Sequence, residues 1–289
     1  MRTSTSAIRI LAAVVLATIA GPPARAGEDE TPAPDCGGPT GWKRFACDSR
    51  ALGQRFSLRD PRDRRFAFAV VGTTALLYAG RDEIRDFMQD HKSQSRTDLY
   101  EVGRVISKGA VSPLLAGVFA LAGQVSGNSR YGETAQILLE STLYSVSFAA
   151  VGQFVLSSER PEDGDDVDFF QPGGHGVSGD VALAASVVAP LDRRHLRWRE
   201  GDGGAVRALK VAGRGVLYSA LALTALQRME ADKHWAPDVF LGAAGGLSIG
   251  YALCTAHEPP RASALPPPEN PHRPSLVAGP DRVLLVWSF

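Results

Sequence analysis

The chain has 289 residues, with 31 basic and 31 acidic side chains and a formal net charge of zero at neutral pH. A balanced chain without a basic stripe lacks the electrostatic footprint of a nucleic-acid binder, so no nucleic-acid partner is expected. With a leader set aside, roughly 260 residues remain, enough for one large packed domain with short appendages.

Arg2 and Arg9 precede the apolar run 10–20, and Ala24-Arg25-Ala26 gives a small-x-small pattern before Gly27. Residues 1–26 therefore read as a secretory signal peptide, because the run is shorter than the roughly 20 residues that span a bilayer. Export would carry the chain to an oxidising compartment. There Cys36 and Cys47, 11 positions apart in a Gly- and Pro-rich segment, are expected to close a disulfide loop. Cys254 lies in an apolar run and reads as an inert buried thiol. With no Cys-x-x-Cys pair or histidine-rich cluster, neither a metal site nor a resident cofactor is expected.

Residues 27–60 are polar and aperiodic and read as an extended N-terminal arm. Residues 61–256 are helical in pattern throughout, with apolar segments at 66–79, 112–124, 136–156, 180–191, 212–227 and 238–254. The fold class is thus all-α, a bundle of about six core helices. The stretch 81–108 is amphipathic and charged, as for helices on the outside of a bundle. Most apolar segments have 13 to 17 residues, and the longest carries Glu140. Their length leaves open both an inner-membrane domain and a periplasmic bundle touching the membrane. Residues 257–289 form a Pro-rich tail, and its closing VLLVWSF suits one short strand.

Three patches hold the residue types that a phosphate site needs. In the third, Arg228 is followed by His234 and then Asp238, with Pro237 between them. Pro237 fits the start of a helix, which puts His234 just before it and Asp238 in its first turn. The carboxylate would then accept from one imidazole nitrogen and leave the other as a nucleophile. Taken alone, Asp238 also reads as a helix cap beside a surface histidine. In the second patch, Gly173, Gly174 and Gly176 surround His175 ahead of a helix, where backbone amides can approach an anion and His175 can protonate a leaving oxygen. In the first, Arg160-Pro161 offers another guanidinium at the end of a helical segment. Each patch also has a bland reading, as a glycine turn with an incidental histidine or a snorkelling arginine.

Together, Arg-Pro, then Pro-x-Gly-His, then Arg-x5-His-x3-Asp resembles the signature of the type 2 phosphatidic acid phosphatase superfamily, which includes bacterial class A acid phosphatases and vanadium haloperoxidases. The similarity covers about 66–254 and is most specific in HWAPD with the following LGAAGG. It implies a chloroperoxidase-like helical fold, His234 as nucleophile, Asp238 as its orienting acid, and His175 as general acid. It also implies Arg160 and Arg228 as the phosphate clamp, with Gly174 contributing a backbone amide.

Two positions depart from that pattern. Gln153 stands where the family has lysine, and Gly173 where it usually has serine. Losing a charged donor typically costs on the order of 10²- to 10³-fold in rate. The leading expectation is a hydrolase acting on a lipid or isoprenoid phosphate monoester or pyrophosphate at a membrane, possessing reduced activity. The alternatives are a non-catalytic relative binding a phospholipid or protein partner, and a haloperoxidase that would need vanadate as its cofactor. Between the first two patches, 159–168 holds six acidic residues. Their spacing does not fit an EF-hand, and they read as a solvated loop. His91, His195, His257 and His272 read as exposed.

Overall fold

The computed structural model describes residue 36, residues 41–199 and 201–258, and the segments 275–279 and 282–286. The expected signal peptide, residues 27–35 and 37–40 of the N-terminal arm, and His272 lie outside the described residues. The described chain is mostly helical. In order it runs α1 (Gly41–Arg55), α2 (Pro61–Ala79), α3 (Arg81–Asp90), α4 (Gln94–Gly103), a 3-10 turn (Arg104–Ser107), α5 (Val111–Ser126) and α6 (Ser129–Val155). A small antiparallel pair follows, β1 (Leu156–Ser158) with β2 (Val167–Phe169), then α7 (Gly179–Leu191), a π turn (Asp192–Leu196), α8 (Gly204–Glu230) and α9 (Ala236–Ala256). β3 (Ser275–Gly279) and β4 (Arg282–Val286) form a hairpin where the sequence suggested a single strand.

Helix starts follow local chemistry. Asp60 caps α2 by accepting from the Arg62 amide at 2.7 Å, with Pro61 opening the helix. Asn128 does the same for α6 through the Arg130 amide at 3.0 Å, immediately after Gly127 ends α5 in a left-handed conformation. The centre of the molecule is α7 against α9. Added methyl groups on Gly242 and Gly246 would fall 2.5 Å from the Ser178 carbonyl oxygen and 2.6 Å from that of Ala182. The small-residue run LGAAGG thus lets two helices pack backbone to backbone, and Val181, Ala184, Val188, Phe240, Ala243 and Leu247 close the core around that contact.

Among the described residues three helices are long and apolar enough to cross a membrane: α6, α8 and α9, with mean hydropathies of 1.2, 1.3 and 1.6 over their most apolar windows. α9 is buried within the bundle, whereas α6 exposes Leu139, Leu143, Val146 and Val151, and α8 exposes Leu209, Val211 and Val216. Apolar rows of that extent mark a surface for a membrane or a protein partner, and the three long apolar helices fit association with a membrane.

Part of the N-terminal arm differs from the extended reading. Residues 41–55 form α1, whose buried Arg44, Asp48, Ala51 and Leu52 recur with helical spacing. Two of those four are charged, so hydropathy gave no period to see. Their partners come from distant chain. Arg44 forks onto Glu140, Nε at 2.9 Å from Oε1 and Nη2 at 3.2 Å from Oε2, and Asp48 Oδ1 lies 2.7 Å from His257 Nε2. Cys36 and Cys47 are bonded, with Cα atoms 5.7 Å apart, and the Cys36 amide donates to the Ala256 carbonyl at 2.9 Å. The start of the described chain is thus clasped to the end of α9. His257 is buried rather than exposed because Asp48 receives it. His195 is half-buried, with Nε2 3.0 Å from Thr134 Oγ1 and its ring stacked on Phe119. His91 is exposed.

Candidate functional site

The three sequence patches meet at one end of the bundle. Gln153 lies in the last turn of α6 and Arg228 in that of α8, while Ser178 immediately precedes α7, making no side-chain capping bond, and Asp238 lies in the first turn of α9. Two helix N-termini therefore point their partial positive charge into the same region.

His175 is placed by β1. Its amide donates to the Ser158 carbonyl at 2.9 Å, which lays the segment QPGGHG along the strand. That approach requires glycine. A methyl group on Gly174 would stand 2.3 Å from Ser157 Cα and 2.6 Å from the Gln153 carbonyl oxygen, and one on Gly176 would stand 1.8 Å from the Leu156 carbonyl oxygen. Gly173 has open space around it but a φ of +91°, where a side chain is strained. A serine is therefore disfavoured at Gly173 by the backbone itself. Arg160 follows the strand β1, not a helix as its neighbours suggested.

His234 stands just before α9 and is buried, with only 7% of its surface exposed. Its ring meets that of His175 edge to face, with centroids 6.3 Å apart and planes at 80°. His234 Nδ1 lies 3.2 Å from the His175 carbonyl oxygen. A carbonyl only accepts, so Nδ1 carries the proton and Nε2 keeps its lone pair. The expected partner, Asp238, is farther away: its Oδ2 stands 3.9 Å from His234 Nδ1 and accepts instead from the Trp235 amide at 3.0 Å. Asp238 is thus first a helix cap, and the carbonyl of the other histidine orients the imidazole. Burial, then the positive field of Arg228, pushes the His234 pKa down to about 3, with His175 and Arg160 adding to the shift and the carbonyl bond opposing it. His175 is lowered by burial and then by Arg160, against Asp163 and Glu162. Both rings are therefore neutral near neutral pH.

The two guanidinium groups flank this pair, each beside an acid of the same site. Arg228 Nε lies 3.2 Å from Asp180 Oδ2, out of line for a hydrogen bond, and Arg160 Nη1 lies 3.6 Å from Glu162 Oε1. Five buried groups at or beside the site have a donor without a protein acceptor: Arg81 Nη1, Ser158 Oγ, Arg160 Nε, Ser178 Oγ and Arg228 Nε. Gln153 does not join them. Its Nε2 donates to the Val177 carbonyl at 2.9 Å, tying the end of α6 to the turn that starts α7.

Sequence spacing gave no sign of several neighbours. Arg81, the first residue of α3, stacks on the Trp235 ring at 4.7 Å and donates to the Asp165 carbonyl at 2.8 Å. Trp235 Nε1–H donates to the Glu159 carbonyl at 3.0 Å, so the indole holds the acidic hairpin loop over the site. Arg81, Arg85, Pro161, Asp232, His234 and Trp235 line a small cleft beside the nucleophile candidate. Far from it, ligand-type atoms of Asp48, Glu140 and His257 lie within 4.8 Å of one another. The Arg44 fork already supplies a positive charge there.

Comparison with known proteins supplies no relative. No family model, curated protein or solved structure matches the chain.

Proposed function

We propose that this chain is a phosphatase of the type 2 phosphatidic acid phosphatase kind, which removes the terminal phosphate from a lipid or isoprenoid phosphate at a membrane surface. The observation that carries the reading is the edge-to-face pair of neutral imidazoles, with one proton position fixed, flanked by Arg160 and Arg228. The surplus of buried donors at the same end fits an oxyanion, since buried donors are otherwise nearly always matched. In the proposed reaction the Nε2 lone pair of His234 forms a bond to phosphorus, and the bond from phosphorus to the ester oxygen breaks. The departing oxygen takes a proton from His175, protonated when the dianionic phosphate raises its basicity. Water then attacks the phosphohistidine, releasing inorganic phosphate and freeing His234. Arg160 and Arg228 hold the non-bridging oxygens as their charge develops. The exposed apolar rows of α6 and α8 support a substrate drawn from lipid.

Phosphate release from phosphatidic acid, undecaprenyl pyrophosphate, lipid A and a soluble aryl phosphate, each compared with His234→Ala, tests the reading. Loss of turnover in that variant supports it, and turnover that persists unchanged removes it. A second reading, a non-catalytic protein of the same kind that holds a phosphate-bearing lipid or a protein partner, draws on the hydrogen bond of Gln153 to Val177 and on the Asp180 carboxylate beside Arg228. It predicts retained lipid binding with no release from any of the four substrates. Halide oxidation with vanadate and peroxide checks the haloperoxidase alternative on the same preparation.

A further inference from the structure

The amide of Gln153 is turned to the Val177 carbonyl, so the position that carries lysine in the resembled family gives nothing to an anion here. A cation is nonetheless present, from a different element. Lys233 immediately precedes His234, and its Nζ lies 2.5 Å from Glu162 Oε1, 71 residues away in the hairpin loop. The same oxygen stands 3.6 Å from Arg160 Nη1. One oxygen shared by two cations holds those cations within about 6 Å of each other. A tetrahedral anion whose oxygens accept at about 2.8 Å can bridge that separation, one oxygen to each cation. Glu162 also lies close enough to His175 for its charge to act on that imidazole. A carboxylate of the chain itself thus stands between two cations at the lip of the histidine pair, where it offers the chemistry of a phosphoryl oxygen with less charge.

We infer that Lys233 is a phosphate-binding residue that supplies the ammonium missing at Gln153, and that Glu162 is the internal anion which the phosphate of an incoming substrate displaces. The inference rests on the phosphatase reading above. Lys233 occupies one of the unspecified positions of the third motif, between Arg228 and His234, so the motif itself assigns it no role. The inference also gives the acidic loop a role: Trp235 and Arg81 hold the loop in place through the Glu159 and Asp165 carbonyls, leaving the Glu162 side chain to exchange partners.

The test uses the purified full chain and reads two quantities. Binding of inorganic phosphate is measured by titration calorimetry, which does not need turnover, and kcat/KM is measured on a soluble aryl phosphate. Lys233→Gln is expected to weaken phosphate about tenfold, the effect of losing one charge-assisted contact, and to lower kcat/KM by about 10²-fold. Lys233→Arg should keep most of both. Glu162→Gln should act in the opposite direction and tighten phosphate, because the internal competitor is gone. Gln153→Lys in the Lys233→Gln background should recover part of the loss. The inference is overturned if Lys233→Gln binds phosphate as the wild type does, if Lys233→Gln and Glu162→Gln weaken it alike as partners in a merely structural ion pair would, or if the wild type binds none. Turnover that survives His234→Ala would instead remove the phosphohistidine reading, and the direction of the two calorimetric shifts would still decide the role of Lys233.

Discussion

Replacing Gly174 by alanine tests how tightly the site is assembled. The added methyl would stand 2.3 Å from Ser157 Cα and from Ser157 Oγ, and 2.6 Å from the Gln153 carbonyl oxygen. Ordinary carbon contacts need about 3.5 Å or more, so something must move by roughly 1 Å. Two of the three atoms are backbone of β1 and of the end of α6, which cannot swing aside as a flexible side chain would. The segment bearing His175 is the freer partner and is expected to lift from the strand, stretching the 2.9 Å bond to the Ser158 carbonyl. Overpacking of this kind costs about 1–3 kcal/mol, and a melting midpoint falls by about 2–4 °C per kcal/mol in a chain of this size. If His175 is the proton donor as proposed, a displacement near 1 Å costs about 10²-fold in rate. Thermal melting in detergent and kcat/KM on an aryl phosphate read the two effects. Gly173→Ala is the matched control. It meets no atom within 4 Å but forces a side chain into a φ of +91°, at a cost of about 1–2 kcal/mol. Gly174→Ala with the wild-type midpoint and rate would refute the packing of 172–177 against β1.

Under the proposed roles the pH profile of kcat/KM should be acid-shifted: His234 would attack unprotonated, which sets an ascending limb near its pKa of about 3, and His175 would donate protonated, which sets a descending limb below 6.5. An optimum above pH 7 would remove this pair of imidazoles as the acid and base. Glu140→Ala should lower stability by about 3 kcal/mol, because it leaves the buried Arg44 without its fork. Denaturant unfolding checks this, with Arg44→Met/Glu140→Leu expected to lose less than Glu140→Ala. Reduction of Cys36–Cys47, which closes a short loop, should remove about 2–3 kcal/mol. Melting with and without reductant measures it, and a Cys36→Ser/Cys47→Ser variant should be indifferent to the reductant.

What the sequence disclosed and what it hid divide by range. Hydropathy located the long helices α5 to α9 to within a few residues, except that α6 and α8 begin seven or eight residues earlier than their apolar cores, in polar first turns that packing recruits. Pro237 and Asp238 fall in the first turn of α9 as the local rules for helix starts require. The bond expected between Asp238 and His234 did not follow. Residues four apart face each other only inside a helix, and His234 precedes the helix, so the carboxylate turned to the Trp235 amide. Pairs joined across long separations were invisible. Asp48 with His257 spans 209 positions, Arg44 with Glu140 spans 96, and Glu162 with Lys233 spans 71. In each case a charged residue looked solvated in sequence because its counter-charge arrives only with the tertiary fold.

α9 begins beside the imidazole pair and ends at the Cys36 clasp, and its 21 residues rise about 30 Å, the depth of a bilayer's hydrocarbon. A disulfide persists where the surroundings are oxidising. Were α9 to traverse the bilayer, the bonded cysteines would mark the oxidising face and the histidines would open onto the other. A body lying against one leaflet keeps both ends in the same compartment. The sidedness of the chemistry can therefore be deduced from a thiol measurement: oxidised cysteines, together with hydrolysis of lipid supplied from that same face, exclude a traversing α9.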